Sequence, residues 1–264
     1  MHIDLSTRTA IISGSTAGIG LAIAKGLASA GARVVITGRT QARVDAALAA
    51  VRKELPQARL DGVAADLGTA AGAEVLIRSV PDADILVNNL GIFEPKAFFD
   101  IPDADWQHFF EVNVMSGVRL SRHYAQGMAQ RGWGRIQFVS SESGVQIPAE
   151  MVHYGVTKTA QLAVSRGLAE TLAGTGVTVN AILPGPTLSE GVGEFFGKIA
   201  VERGVPQAQI EKGFITTHRP SSLIQRLASV DEVANLSVYL ASEQASATTG
   251  AAMRVDGGVV RSVV

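Results

Sequence analysis

The chain has 264 residues, 47% hydrophobic and 18% charged, with a net charge of −1, the make-up of an ordinary globular protein with a substantial core. No basic cluster offers a nucleic-acid surface, and the absence of cysteine excludes disulfides, thiol nucleophiles and cysteine metal sites. The five histidines lack metal-ligand spacing, no apolar stretch reaches the ~18 residues of a membrane span, and the opening MHIDLSTRTAIISGS is no secretory signal, so a cytoplasmic protein that binds neither membrane nor nucleic acid is expected.

Taken in chain order, TAIISG (9–14), RVVITG (33–38), LDGVAAD (60–66), DILVNN (84–89), RIQFVSS (135–141), VTVNAIL (177–183) and AAMRVDGG (251–258) read as strands. They are uniformly apolar and rich in Val and Ile, as strands buried on both faces are. Helical patterns lie between them near 18–30, 40–54, 70–79, 103–130, 152–173 and 230–241. This alternation predicts an α/β, doubly wound Rossmann fold: a seven-stranded, mainly parallel sheet with helices on both faces. No Pro/Gly linker divides the chain, so residues 1–264 read as one domain. The rhythm breaks from about Thr187 to Ser229, where helices but no strand are expected. An insertion of this length after a late strand reads as a substrate lid, against a helical hairpin that only packs on the sheet edge.

SGSTAGIG (13–20) follows the first strand and opens the first helix. Gly14, Gly18 and Gly20 let the backbone turn and approach a pyrophosphate, which the helix N-terminus can bind. At the end of the second strand, Gly38 stands where an NAD site carries an acid, and Arg39 follows. An arginine grips a 2′-phosphate, so NADP(H) is preferred and NAD(H) remains possible. Ala17 offers no second positive charge. Asp66 is placed either to accept from the adenine amino group or to serve as a turn or helix cap. In YGVTK, Lys158 follows Tyr154 by one helical turn, on the same face.

With SGSTAGIG, NNLG (88–91), VNV (112–114), SSESG (140–144), YGVTK and NAILPGP (180–186) in order, and TG…VDGG at the end, the chain resembles the short-chain dehydrogenase/reductase family over nearly its whole length. Within it the chain looks most like relatives of 3-oxoacyl-carrier-protein reductase. The resemblance implies a catalytic tetrad at Asn113, Ser141, Tyr154 and Lys158, Ser141 being set by its thirteen-residue step to Tyr154. It also implies cofactor contacts at Gly14, Ser15, Thr16, Gly18, Ile19, Gly20, Arg39, Asp66, Leu67, Asn89, Gly91, Tyr154, Lys158, Pro184, Gly185 and Thr187, and a homotetramer or homodimer. Helices 103–130 and 152–173 are the surfaces expected to pair. Leu90 replaces the usual alanine, Ser189 the common threonine, and Gln137 has no evident role.

These residues predict hydride transfer between NADP(H) and a carbonyl or secondary alcohol. The Lys158 ammonium is expected to lower the Tyr154 pKa by about 1–3 units, making the phenol a general acid/base. Ser141 would bind the substrate oxygen, and Asn113 would position a water linking Lys158 to solvent. Phe93, Val145, Ile147, Met151, Phe195, Phe196 and Phe214 are the expected pocket walls. The alternatives are an NAD-preferring sugar or sterol alcohol dehydrogenase and a non-catalytic dinucleotide-binding sensor.

Overall fold

The computed structural model of the chain describes residues 2–263, the Phe195 side chain apart. Strands β1 (Thr9–Ile12), β2 (Arg33–Gly38), β3 (Leu60–Ala64), β4 (Ile85–Asn88), β5 (Gly134–Val139), β6 (Val177–Pro184) and a last strand, Ala252–Val255, form one sheet. Every pairing in it is parallel, and the order is β3-β2-β1-β4-β5-β6 with the last strand at the edge. Successive side chains of a strand face opposite layers. Ile12, Val34, Ile36, Ile85 and Val87 thus join one core with Ile23 and Leu27, whereas Ile11, Val35 and Leu86 join another with Leu76, Leu120 and Met128.

Helices α1 (Gly18–Ser29) and α2 (Gln41–Glu54) cover the first face; α3 (Ala70–Ser79), α5 (Ser116–Arg131) and α6 (Val152–Thr171) cover the second. The helix expected over 103–130 is α4 (Asp103–Phe110) running into α5 through one π-helical turn, Glu111–Met115. Such a turn inserts a residue into the hydrogen-bond ladder and commonly marks a functional position. Asn113 lies in it.

Residues 187–229 stand outside the sheet as α7 (Glu190–Arg203) and α8 (Gln207–His218). Contrary to the expectation of no strand, the ends of this segment are clasped by β7 (Thr187–Leu188) and β8 (Ala228–Ser229), paired in parallel. Two-residue strands are too short to leave an alternating pattern. Ser229 then opens α9 (Val230–Leu240) with a capping box to Glu232, and the edge strand Ala252–Val255 is β9. No helix among the described residues is long and apolar enough to cross a membrane.

Candidate active site

β1 and β4 are neighbours in the sheet, and the strand order reverses there, which opens a crevice at their carboxyl ends. Gly14 and Gly18 hold φ of 64° and 56°, the left-handed region that glycine enters without strain, and these turns aim the start of α1 at the crevice. Asn89 Nδ2 braces the turn by donating to Ser13 O and Gly14 O, both at 3.0 Å. No side chain caps α1, so its first-turn N–H groups are left for an anion.

A cavity of about 290 Å³ in this crevice is walled by Gly14, Thr16, Arg39, Asp66, Leu67 and Gly91, together with Arg43 and Leu90. Ser15 is not on that wall. Its N–H donates to Thr37 O, its hydroxyl donates to Ile12 O, and Oγ accepts from Thr37 N–H, so the residue ties β1 to β2. Gly18 and Gly20 are not on that wall either, and Gly18 shapes the turn with its positive φ. A Cβ on Gly38 would lie 2.4 Å from Thr16 Cγ2, so this packing leaves no room for the acid of an NAD site. Arg43 supplies the second positive charge that the glycine turn lacks. Its sequence signal was its place in the first turn of α2, just after Arg39. Asp66 Oδ1 accepts from Gly68 N–H as a turn residue, while Thr69 caps α3. These features fit a dinucleotide.

Gly91 and Ile92 are shared with a second cavity of about 200 Å³, walled by Ile19, Asn89, Ser141, Tyr154, Lys158 and the β6 end at Pro184, Gly185 and Thr187. Ser141 caps the short turn after β5, its Oγ accepting from Ser143 N–H at 3.1 Å. Tyr154 and Lys158 sit one turn apart on α6, with Lys158 Nζ 5.5 Å from the centre of the phenol ring. Lys158 is buried and donates to Val139 O at 3.0 Å and Gln161 Oε1 at 3.2 Å. Asn113 does not reach the cavity. Its side chain joins Ile92, through both N–H and C=O, to Thr157 Oγ1, and its carbonyl accepts from Gln161 Nε2 at 2.6 Å. Gln161, which the sequence reading missed, bridges the Asn113 main-chain carbonyl and the Lys158 ammonium.

Burial pushes the Tyr154 phenol well above its ordinary pKa. The Ser141 hydrogen bond and the Arg219 charge act against this, and the Glu142 carboxylate acts with it. Burial also lowers Lys158 to about 8, with Glu142 opposing. In the chain without cofactor the Lys158 ammonium is directed to Val139 and Gln161, and burial shifts the phenol opposite to the expected acidification.

Of the expected walls, Phe93 lines the second cavity and packs edge-on to Tyr154, with ring centres 6.3 Å apart. Met151, Phe196 and Phe214 line a separate cavity of about 810 Å³ against α7 and α8. Val145 and Ile147 are exposed and on none of these walls. The Phe195 side chain lies outside the described residues. Ser189 lines the second cavity and caps α7. Leu90 packs against the second core and beside Gly14.

A parallel sheet with a dinucleotide crevice at its switch point, and a Tyr–Lys pair beside it, defines an NAD(P)-dependent oxidoreductase. A family model described as Enoyl-(Acyl carrier protein) reductase matches residues 14–260. The chain belongs to the short-chain dehydrogenase/reductase family. It is 46% identical to the uncharacterized oxidoreductase YvaG of Bacillus subtilis, over 100% of both chains. It is 35% identical to a D-beta-hydroxybutyrate dehydrogenase of Cupriavidus necator, covering 97% of this chain and 99% of that one. The structure of L-sorbose reductase from Gluconobacter frateurii with NADPH and L-sorbose superposes with a TM-score of 0.93 at 34% identity, over 100% of both chains.

Proposed function

We propose that the protein is an NADP(H)-dependent reductase of ketones or aldehydes, and dehydrogenase of the corresponding alcohols, with Tyr154 as general acid/base. The observation that carries this is the convergence of Ser141, Tyr154 and Lys158 with Pro184, Gly185 and Thr187 on one cavity that shares the Gly91–Ile92 wall with the dinucleotide crevice. A bound nicotinamide dinucleotide supplies or takes the hydride. In reduction, Tyr154 gives its proton to the carbonyl oxygen, which Ser141 also holds as charge builds there. Lys158 keeps a positive charge next to the phenolate that forms. Asn113 ties the Ile92 loop to α6 and, through Gln161, fixes Lys158.

The preference for NADP(H) is supported by Arg39 and Arg43 on the crevice wall and by the lack of room for an acid at Gly38. The whole chain works as one catalytic domain with residues 187–229 as its lid. Sorbose and hydroxybutyrate, named for the relatives, are both within reach of carbonyl chemistry. The apolar walls at Phe93, Met151, Phe196 and Phe214 favour a substrate with an apolar body. The same reading places the protein in the cytoplasm as a homotetramer or homodimer. Exposed apolar side chains at Phe110 on α4 and Val156 on α6 support pairing of these helices.

Tyr154→Phe tests the reading. Turnover should fall about 10²-fold or more while NADPH binding is retained. The screen follows NADPH oxidation over ketones, 3-oxoacyl thioesters, quinones and sugars. An unimpaired variant would refute the role of Tyr154. Cofactor binding with no turnover across the panel would favour a non-catalytic sensor. Equal or tighter NADH binding would overturn the cofactor preference.

A further inference from the structure

Glu142 and Arg219 form an ion pair inside the protein, Arg219 Nε to Glu142 Oε1 at 3.0 Å, with exposures of only 4% and 8%. Arg219 directly follows α8, at the far end of the segment outside the sheet. Glu142 follows β5, next to the catalytic serine. Its other oxygen, Oε2, accepts the Ser141 hydroxyl at 2.6 Å. Arg219 Nη1 reaches on to Glu150 at 3.4 Å, so a continuous polar chain runs from Ser141 to the outer segment.

We propose that Glu142 is a positioning residue for Ser141, and that Arg219 makes this positioning depend on the seating of residues 187–229. The proposal rests on the catalytic reading of Ser141 and Tyr154 given above. Ser141 Oγ is held from two sides, by the Ser143 N–H and by the Glu142 carboxylate. A charged acceptor makes the shorter and more directional bond. With Oγ fixed, rotation about Cβ–Oγ alone redirects the hydroxyl from Glu142 to a substrate oxygen. A carboxylate buried away from water is costly without a counter-charge, and Arg219 supplies one to Glu142. When the segment lifts, it takes Arg219 away and leaves a buried carboxylate unpaired beside Ser141.

Stability alone does not account for the pair. Apolar side chains of similar volume hold such a contact equally well or better. That difference separates positioning from packing. The experiment compares Glu142→Gln, Arg219→Met and the double variant Glu142→Leu/Arg219→Leu with the wild-type chain. It measures thermal unfolding, NADPH affinity, amide hydrogen exchange in α7 and α8, and kcat on the panel compound that the wild type reduces fastest. Each single variant should lose roughly 10–100-fold in kcat, as expected for a misplaced catalytic group, with NADPH affinity unchanged. Arg219→Met should also speed exchange in α7 and α8. The double apolar variant should recover the unfolding temperature but not kcat. Recovery of kcat along with stability, or single variants that turn over like the wild type, would overturn the proposal while leaving the enzyme reading intact. A wild-type chain that oxidises NADPH with no member of the panel overturns both.

Discussion

Gln137 and Ser237 hold each other by two hydrogen bonds across the layer between β5 and α9. The Ser237 hydroxyl donates to Gln137 Oε1 at 2.6 Å, and Gln137 Nε2 donates to Ser237 O at 2.9 Å. Both residues are fully buried. This gives the glutamine, unexplained in an apolar strand, its physical reason: it is half of a satisfied polar pair that docks α9 on the sheet. Gln137→Leu should strand the Ser237 hydroxyl and cost about 1–3 kcal/mol in urea unfolding. The double variant Gln137→Leu/Ser237→Ala should regain part of that loss.

The ionisation of Lys158 sets an alkaline limit. Its pKa is brought down to about 8 by burial, so the ammonium is present below that pH and lost above it. The rate of carbonyl reduction at saturating NADPH should be level below about pH 8 and fall as pH rises through it. Gln161→Leu removes one of the polar groups that receive the ammonium. The alkaline limb should then move to lower pH, as read from a pH–rate profile.

Stability should weaken on the acid side because of His153. The ring is enclosed by Trp106 and Phe109, with no hydrogen-bond partner for either nitrogen among the described residues, and burial holds its pKa below the ordinary value. Asp105 and Glu94 act against that shift and Lys96 with it. The unfolded chain therefore binds the proton more readily than the folded one. The contribution is complete above the unfolded value near ~6.5 and is lost as pH falls through it toward the lower folded value. Replacing His153 with Phe should reduce the drop in unfolding free energy between pH 7 and pH 5, measured by urea titration.

Arg39 and Arg43 share the wall of the crevice with Gly38. Arg39→Ala and Arg43→Ala should each weaken NADPH binding by about tenfold, ~1.4 kcal/mol, and leave NADH binding nearly unchanged. The loss should shrink as salt is raised, since both side chains are exposed. Fluorescence titration at two ionic strengths reads both effects.

The strands of the sheet and the flanking helices were legible in the sequence because their patterns are local. A run such as ILVN (85–88) is buried on both faces wherever it lies in a parallel sheet. The outer segment was only half legible: α7 and α8 left their periodicity, whereas the β7–β8 clasp joins residues 41 apart through strands of two residues each. Within the site, backbone-turn geometry and helical spacing pointed to Gly14 and to the Tyr154–Lys158 pair. The bonds that tie Ser15 to Ile12 and Thr37 were not legible, because a motif does not say which way each residue of a turn faces.

The sequence alone determined the sheet-and-helix rhythm, the glycine turn and the one-turn spacing of Tyr154 and Lys158, since backbone geometry fixes what neighbours in the chain can do. Tertiary structure decided the pairs Glu142–Arg219 and Gln137–Ser237, 77 and 100 residues apart. It also decided the burial that raises the Tyr154 pKa. Contacts across such distances depend on how whole layers pack. The charge a buried group carries depends on the water that packing removes and on the partners it brings in, and neither is written in the spacing of residues along the chain.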